Sequence, residues 1–439
     1  MAPGDVGALR ESVLPGSVQL WLTAALFLLT YLGLVLGEVP KLRIDRAGIA
    51  FAGAALMLCT GVVTFAEAAS PQSIDYETLG LLFGMMIGVA FLRLSGCLAR
   101  LTQWSLNRIH SPHGLLALVI LLAGVLSAFL VNDIVCLALT PLVMHMSKRL
   151  GFDPVPHLIG LATGANIGST GTITGNPQNM IIGVQSRIPY VRFAAHLMPV
   201  AVLGLAIDFL VISLIYRSAL ADRRAGREGA EATAAVRFTA GALRGRVLTR
   251  LQWRSAAVAL LTVVLFFAGL PMAVVALGAA AFLLLGRLKP ERVYREVDWS
   301  LLLMFAGLFV VVHAFQIHVV SRWNLAGWQF LKDHPIGLLS LTSAGLSNLV
   351  SNVPAVLLFR PVMGAVPAAA RQSAWLALAM SSTLAGNLTV PGSVANLIVI
   401  EKARREGTVI SFWEYCKAGV PVTLLTLTLG IAWLVFVRF

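Results

Sequence analysis

The sequence predicts an all-α polytopic membrane protein: about ten transmembrane helices plus two re-entrant hairpins, arranged as two inverted repeats. Three observations carry this. Of 439 residues, 58% are hydrophobic and 12% charged, with a mean hydropathy of +0.84, which overrides the several soluble domains that length alone would suggest. Most apolar windows run roughly 17–22 residues, enough to cross about 30 Å of hydrocarbon. Polar breaks of one kind also occur twice. Leu130-Val131-Asn132-Asp133-Ile134-Val135 recurs as Leu349-Val350-Ser351-Asn352-Val353-Pro354. Thr172-Ile173-Thr174-Gly175-Asn176-Pro177-Gln178-Asn179 recurs as Thr389-Val390-Pro391-Gly392-Ser393-Val394-Ala395-Asn396. The offsets are 219 (352 − 133) and 217 (396 − 179). Halves interrupted at corresponding positions by Asn, Gly and Pro point to a secondary transporter whose site lies between repeats.

Taken in order, the crossings fall near 18–37, 47–66, 77–95, 157–186, 196–216, 251–268, 272–288, 299–318, 373–403 and 417–437. The first run is too long for a signal-peptide core and leads into Lys41 and Arg43 rather than a small-residue cleavage site, so it is read as a retained helix. Regions 114–149 and 336–370 each hold a pair of short helices around a polar break and are read as hairpins that enter and leave on one side. Non-helical backbone at that depth must be satisfied by protein or by a water-filled cavity. The first repeat therefore spans 1–216, with its hairpin at 114–149 and a broken helix at 157–186. A basic cytoplasmic linker, 217–250, leads to the second repeat, 251–439, with its hairpin at 336–370 and a broken helix at 373–403. Five crossings per half is an odd number, so the second half runs inverted. Asp75-Tyr76 matching Asp298-Trp299, and Gly84 matching Gly307, extend the duplication at an offset of 223 (298 − 75; 307 − 84).

The formal charge of +13 sits between apolar segments. With residue 1 outside, the clusters Lys41/Arg43/Arg46, Arg100/Arg108, Lys148/Arg149, Arg287/Lys289/Arg292/Arg295 and Arg404/Arg405 lie inside, as does the linker, while Glu67, Asp75 and Glu77 lie outside. This is the positive-inside pattern, and it removes nucleic acid as the reason for the charge. Arg187, Arg192, Arg322, Lys332 and Arg371 are exceptions. Cys59, Cys97, Cys136 and Cys416 have no CxxC spacing, so neither a disulfide framework nor a metal site is expected. No HExxH, GxSxG or GKS/GKT occurs, so no catalytic residues and no cofactor beyond a coupling proton or sodium ion are expected.

Asp133 is the sharpest candidate: a carboxylate at the membrane centre costs roughly 2.5–3.5 kcal/mol on insertion scales and marks ion or proton pathways. It is the expected coupling group, although Asp133 could equally cap the second arm of its hairpin. Asn132, Ser351 and Asn352 gain weight from their pairing across the halves. The run 162–179 holds Asn166, Thr170, Thr172, Asn176 and Asn179 among glycines, and its counterpart holds Asn387, Thr389, Ser393 and Asn396. Glycines permit close backbone approach, and Pro177 suits the first turn of a restarting helix. Half-helix N-termini offer free N–H groups to an anion or polar solute, and free carbonyls can meet a cation. Asp208 sits mid-window with no counterpart and is expected to pair with a neighbouring helix.

At these motifs the chain resembles the ion-transporter superfamily, which includes arsenite efflux permeases, citrate and dicarboxylate carriers and sodium/proton antiporters; the resemblance covers nearly the whole chain. The Asn132-Asp133 tip looks like those of arsenite permeases and bacterial anion permeases, whereas the dicarboxylate branch carries Ser-Asn-Thr at each tip. The resemblance implies a secondary active transporter in the cytoplasmic membrane of a bacterium. It would move a small inorganic oxyanion or a metalloid of the arsenite or antimonite type, coupled to protons or sodium. A sodium-coupled di- or tricarboxylate symporter, or a cation/proton antiporter using Asp133 and Asp208, are the alternatives. The bilayer and a small solute are the expected partners, with a homodimer and a separate ATPase subunit left open.

Overall fold

The computed structural model describes residues 15–36, 44–97, 100, 111–221, 246–286, 288–323 and 334–437. The basic run 222–245 and Lys332 lie outside the described residues. The elements are helices: α1 (Gly16–Leu36), α2 (Arg46–Cys59), α3 (Phe65–Ala68), α4 (Tyr76–Leu94), α5 (Pro112–Phe129), α6 (Asn132–Leu150), α7 (Pro154–Ser169), α8 (Pro177–Ser186), α9 (Tyr190–Ile215) and α10 (Arg217–Ala221). Then follow α11 (Arg246–Phe267), α12 (Met272–Leu284), α13 (Pro290–Tyr294), α14 (Trp299–His318), α15 (Pro335–Val350), α16 (Asn352–Met363), α17 (Ala368–Leu384), α18 (Val394–Arg405) and α19 (Phe412–Phe436).

Local chemistry starts many of them. Asp45, Ser111, Asp153, Asn176, Asp298, Ser393 and Ser411 each cap a helix by accepting a backbone N–H. Prolines follow the cap in α5, α7 and α8, where the missing N–H costs nothing. Among the described residues, seven helical segments are long and apolar enough to cross a bilayer, α1, α4, α5, α9, α14 and α19 together with Arg250–Phe267 of α11.

Several boundaries differ from expectation. The crossing placed at 47–66 is a 14-residue helix that stops at Cys59, because Gly61 turns the chain at φ 71° and Thr64 opens the short α3 with a capping box to Glu67. α5 has 18 residues and meets the length for a full crossing, where a short hairpin arm was expected. α9 begins at Tyr190 rather than 196, and α19 at Phe412 rather than 417, where Ser411 accepts from Glu414 N–H.

By internal contacts the chain divides into two units. The smaller holds α1, α2, α3 and α14. A Cβ on Gly307 would lie 2.7 Å from the backbone of Ala50, so α14 rests directly against α2. The larger unit holds α5 to α13, α15 and α17 to α19, with most of α4 and the start of α16. In it Gly84 of α4 meets α12 in the same way, its Cβ position 2.6 Å from the backbone of Ala276. α7 is the centre of the larger unit, buried on all faces from Pro156 to Ser169. Glycine lets it sit there: a Cβ on Gly168 would be 2.1 Å from the carbonyl oxygen of Gly124 on α5. Small residues of this kind are how membrane helices approach without a hydrophobic drive between them.

Candidate functional site

The site of interest lies wholly within the larger unit, where two helices break in the same way. α7 ends at Ser169, Thr172 is extended (φ −141°, ψ 164°), a 3₁₀ turn covers Ile173–Gly175, and Asn176 (φ −156°, ψ 162°) caps α8. α17 ends at Leu384, a turn covers Ala385–Asn387, Thr389 is extended (φ −138°, ψ 163°), a second turn covers Val390–Gly392, and Ser393 (φ −142°, ψ 141°) caps α18. Both chains double back on themselves at a glycine. A Cβ on Gly175 would lie 2.3 Å from Ser169 O, and one on Gly392 would lie 3.0 Å from Gly386 O.

Each break is clamped by one asparagine. Asn179 Nδ2 donates to Ser169 O (3.1 Å) and Thr172 O (3.0 Å). Asn396 Nδ2 donates to Gly386 O (2.7 Å) and Thr389 O (3.1 Å). The second set is the first displaced by 217 residues (386 − 169; 389 − 172). The breaks also bond to each other reciprocally. Asn166 Nδ2 donates to Asn396 Oδ1 (3.0 Å), while Thr383 Oγ1, 217 residues on (383 − 166), donates to Asn179 Oδ1 (3.4 Å). Ser393 Oγ donates to Asn166 Oδ1 (3.0 Å), while Asn176 Nδ2 donates to Thr383 Oγ1 (3.2 Å).

Asn166 is the hub. Beyond those bonds its Nδ2 reaches Asn387 Oδ1 (2.8 Å) and its Oδ1 accepts from Asn132 Nδ2 (2.9 Å). Asn132 opens α6 and is buried, with no hydrogen-bonding partner for its Oδ1. The capping alternative for Asp133 is corrected here: the N-cap of α6 is Val131, without a side-chain bond, and Asp133 stands half-buried in the first turn. At the other tip Ser351 holds φ 76°, a left-handed conformation that costs a non-glycine residue about 1 kcal/mol or more and is tolerated where surroundings over-determine it. Asn352, with its amide oriented to suit its neighbours, donates to Ser382 O and Gly392 O (both 3.1 Å) and accepts from Gln178 Nε2 (3.3 Å).

Of the expected residues, Asn132, Asn166, Asn176, Asn179, Asn387, Ser393 and Asn396 share one network, and Asn352 joins it through Gln178, which also donates to Thr383 (3.2 Å). Thr170 and Thr172 instead bond backbone, Asn166 O and Ala128 O respectively, and tie the first break to its surroundings. Thr389 Oγ1 donates to Asn348 Oδ1 (3.0 Å), whose Nδ2 donates to Ala385 O (2.8 Å). Gln178, Thr383 and Asn348 were not among the expected residues. The first two lie inside the polar runs and could have been included; Asn348 stands outside both motifs and signals nothing by itself.

The side chains bonded into this network are Asn, Gln, Ser and Thr, without a charged group, and the described residues contain no cluster of three or more His, Cys, Asp or Glu that could hold a metal. Positive potential comes from helix N-termini, those of α8 and α18 at the breaks and those of α6 and α16 at Asn132 and Asn352.

A family described as citrate transporter matches residues 24–385. A silicon efflux transporter of Oryza sativa subsp. japonica is 32% identical, covering 90% of this chain and 94% of its own length. A putative transporter of Dictyostelium discoideum, named arsB, is 25% identical over 89% of this chain and 87% of its own. The crystal structure of the YdaH transporter of Alcanivorax borkumensis has the same fold, with a TM-score of 0.55 at 16% identity over 96% of this chain and 97% of that one. With more than four-fifths of its length matched (362 residues, 385 − 24 + 1, of 439), this chain belongs to the citrate transporter family, CitMHS, of membrane solute transporters.

Proposed function

We propose that the polar centre carries a small, uncharged, multiply hydroxylated metalloid of the arsenite, antimonite or silicic acid type out across the cytoplasmic membrane of a bacterium, coupled to protons or sodium. The observation that carries this is the purely neutral network joining the two breaks. A metalloid hydroxide presents hydroxyls that donate and accept alike, which amides and hydroxyls match bond for bond. A tricarboxylate desolvated here would need fixed positive charge to offset its burial, and the nearest basic residue of α18, Lys402, is turned to Leu137 O at 3.1 Å. The silicon efflux named for the Oryza relative supports this solute class.

In this reading α5/α6 and α15/α16 are re-entrant pairs meeting the breaks at their tips, and the halves are inverted repeats of 1–216 and 251–439. The reciprocal bonds support it, because a two-fold axis in the membrane plane requires each contact from one half to be returned by its equivalent. Asp133, at the positive end of α6 beside Asn132, is positioned to meet a coupling cation or proton. Purified protein in proteoliposomes, given arsenite, silicic acid or citrate under imposed pH or sodium gradients, tests this. Arsenite or silicic acid flux driven by a gradient, and reduced about tenfold or more by Asn166→Ala, is expected. Sodium-driven flux of citrate alone would overturn it.

A further inference from the structure

A second carboxylate lies behind this centre. Asp208 lies about two turns from the C-terminal end of the 26-residue apolar helix α9 and is fully buried. One of its oxygens accepts from Thr163 Oγ1 (2.9 Å); the other, Oδ1, has no hydrogen-bonding partner among the described residues. Among the described residues no ion pair joins it to a cation that would compensate the charge it carries when ionised. The expectation that it pairs with a neighbouring helix is met by a neutral hydroxyl rather than a countercharge.

α9 packs against α5, α7, α10, α11, α17 and α19. Their described titratable groups are His113, His157, Arg217, Arg250, Arg254, Arg371, Glu414, Tyr415, Cys416 and Lys417, with Tyr190, Arg192 and His196 on α9 itself. Of these, Tyr415 interacts electrostatically with Asp208. Its hydroxyl is also buried and also without a partner. Two buried polar groups of complementary kind, a carboxyl that can donate when protonated and a phenol that can accept or donate, thus interact from neighbouring helices.

Asp208 is also connected to the solute centre. Thr163 shares its hydroxyl between Asp208 and Ile159 O (2.9 Å), and its own carbonyl accepts from Asn387 Nδ2 (3.3 Å), the side chain that accepts from Asn166. A chain of hydrogen bonds thus runs from Asn166 through Asn387 and Thr163 to Asp208.

We propose that Asp208, with Thr163 and Tyr415, is a proton-binding site coupled to the solute centre. A proton taken from water on one side forms an O–H bond at the carboxyl and neutralises it; opening of the cluster to the other side returns the proton to water. The coupling half of this proposal rests on the transport reading above, whereas proton binding does not. Infrared difference spectra of the purified chain on a pH change test the site without any solute. Wild type is expected to show a protonated-carboxyl carbonyl band that Asp208→Asn lacks and that Thr163→Val and Tyr415→Phe shift in frequency. Persistence of the same band in Asp208→Asn, or its absence from wild type, overturns the site. With arsenite as probe in proteoliposomes, Asp208→Asn is expected to keep arsenite exchange at equal pH and to lose about tenfold or more of the flux driven by a pH gradient. An unchanged gradient response overturns the coupling. If arsenite moves through neither protein, the solute assignment fails and the infrared spectra alone decide the proton site.

Discussion

The two helix breaks share a backbone path and a bonding scheme, yet one is sealed and the other is not. Every residue from Ser169 to Asn179 is buried, whereas Leu388 to Val390 are half-buried and Pro391 is exposed. The covering elements make the difference. Over the first break, Thr172 bonds Ala128 O of α5, Thr174 bonds the Tyr190 hydroxyl of α9 (2.8 Å), and Gly171 lies beneath Met198, its Cβ position 3.0 Å from the sulfur. At the place of Gly171 the second break has Leu388, and the side chain of its Thr389 bonds Asn348 rather than a covering helix of the first half. Local sequence sets how the chain breaks, and neighbouring helices set which break meets solvent or solute.

The largest effect that would test this comparison is expected at the hub. Asn166→Ala strands Asn132, Asn387, Ser393 and Asn396, each a buried group worth about 1–3 kcal/mol when left unpaired, so thermal unfolding in detergent should show a loss of about 3 kcal/mol or more. Thr383→Ala, at the equivalent place, strands fewer groups and should cost about half as much; equal losses would mean that the asymmetry of the hub is not energetic. Next come the two glycines on which the breaks rest. Gly168→Ala would set a Cβ 2.1 Å from Gly124 O, and Gly419→Ala one 2.3 Å from Asn387 O, so each should cost about 1–3 kcal/mol by overpacking, measured as a lowered unfolding midpoint. A variant as stable as wild type would show that its break can shift freely.

Access itself is read by thiol labelling. In a background with Cys59 and Cys97 replaced by serine, Val390→Cys should react with a polar maleimide about tenfold or more faster than Ile173→Cys, its counterpart 217 residues earlier (390 − 173), because Val390 is half-buried and Ile173 fully buried. Equal rates would remove the distinction between the breaks. The smallest effect lies outside both, in the smaller unit. The Thr64 backbone N–H donates to Glu67 and holds its carboxyl below the usual carboxylate range, so this contribution is complete above the ordinary carboxylate pKa and fades as pH falls through the lowered value. Thr64→Ala, which keeps that N–H but removes the hydroxyl bonds to the Glu67 carboxylate and backbone, should cost about 1 kcal/mol at neutral pH, less in acid, and leave flux unchanged. Altered flux would show that α3 takes part in transport.

Much of the site was legible because its chemistry is local. An Asn or Ser at a helix restart caps the helix wherever it packs, Pro177 fits the first turn for the same reason, and Gly175 and Gly392 are needed because the chain touches itself within a few residues. The repetition of the breaks made them stand out from an apolar background. Asn348 and Thr163 were illegible because what they do depends on partners about 41 (389 − 348) and 45 (208 − 163) residues away. Helix ends were read least well at α2 and α9, where hydropathy continues past the last hydrogen-bonded turn or starts after the first.

By itself, then, the sequence determined the membrane class, the doubled breaks, their caps and the polar character of the centre, all consequences of hydropathy and of bonds within a few residues. The tertiary structure decided which amide meets which across 217 residues, which break is covered, and that Asp208 faces a hydroxyl rather than a cation. Apolar helix faces carry little information about their partners in a bilayer, so these pairings come from the close approach that glycines permit and from the cost of leaving any buried polar group alone.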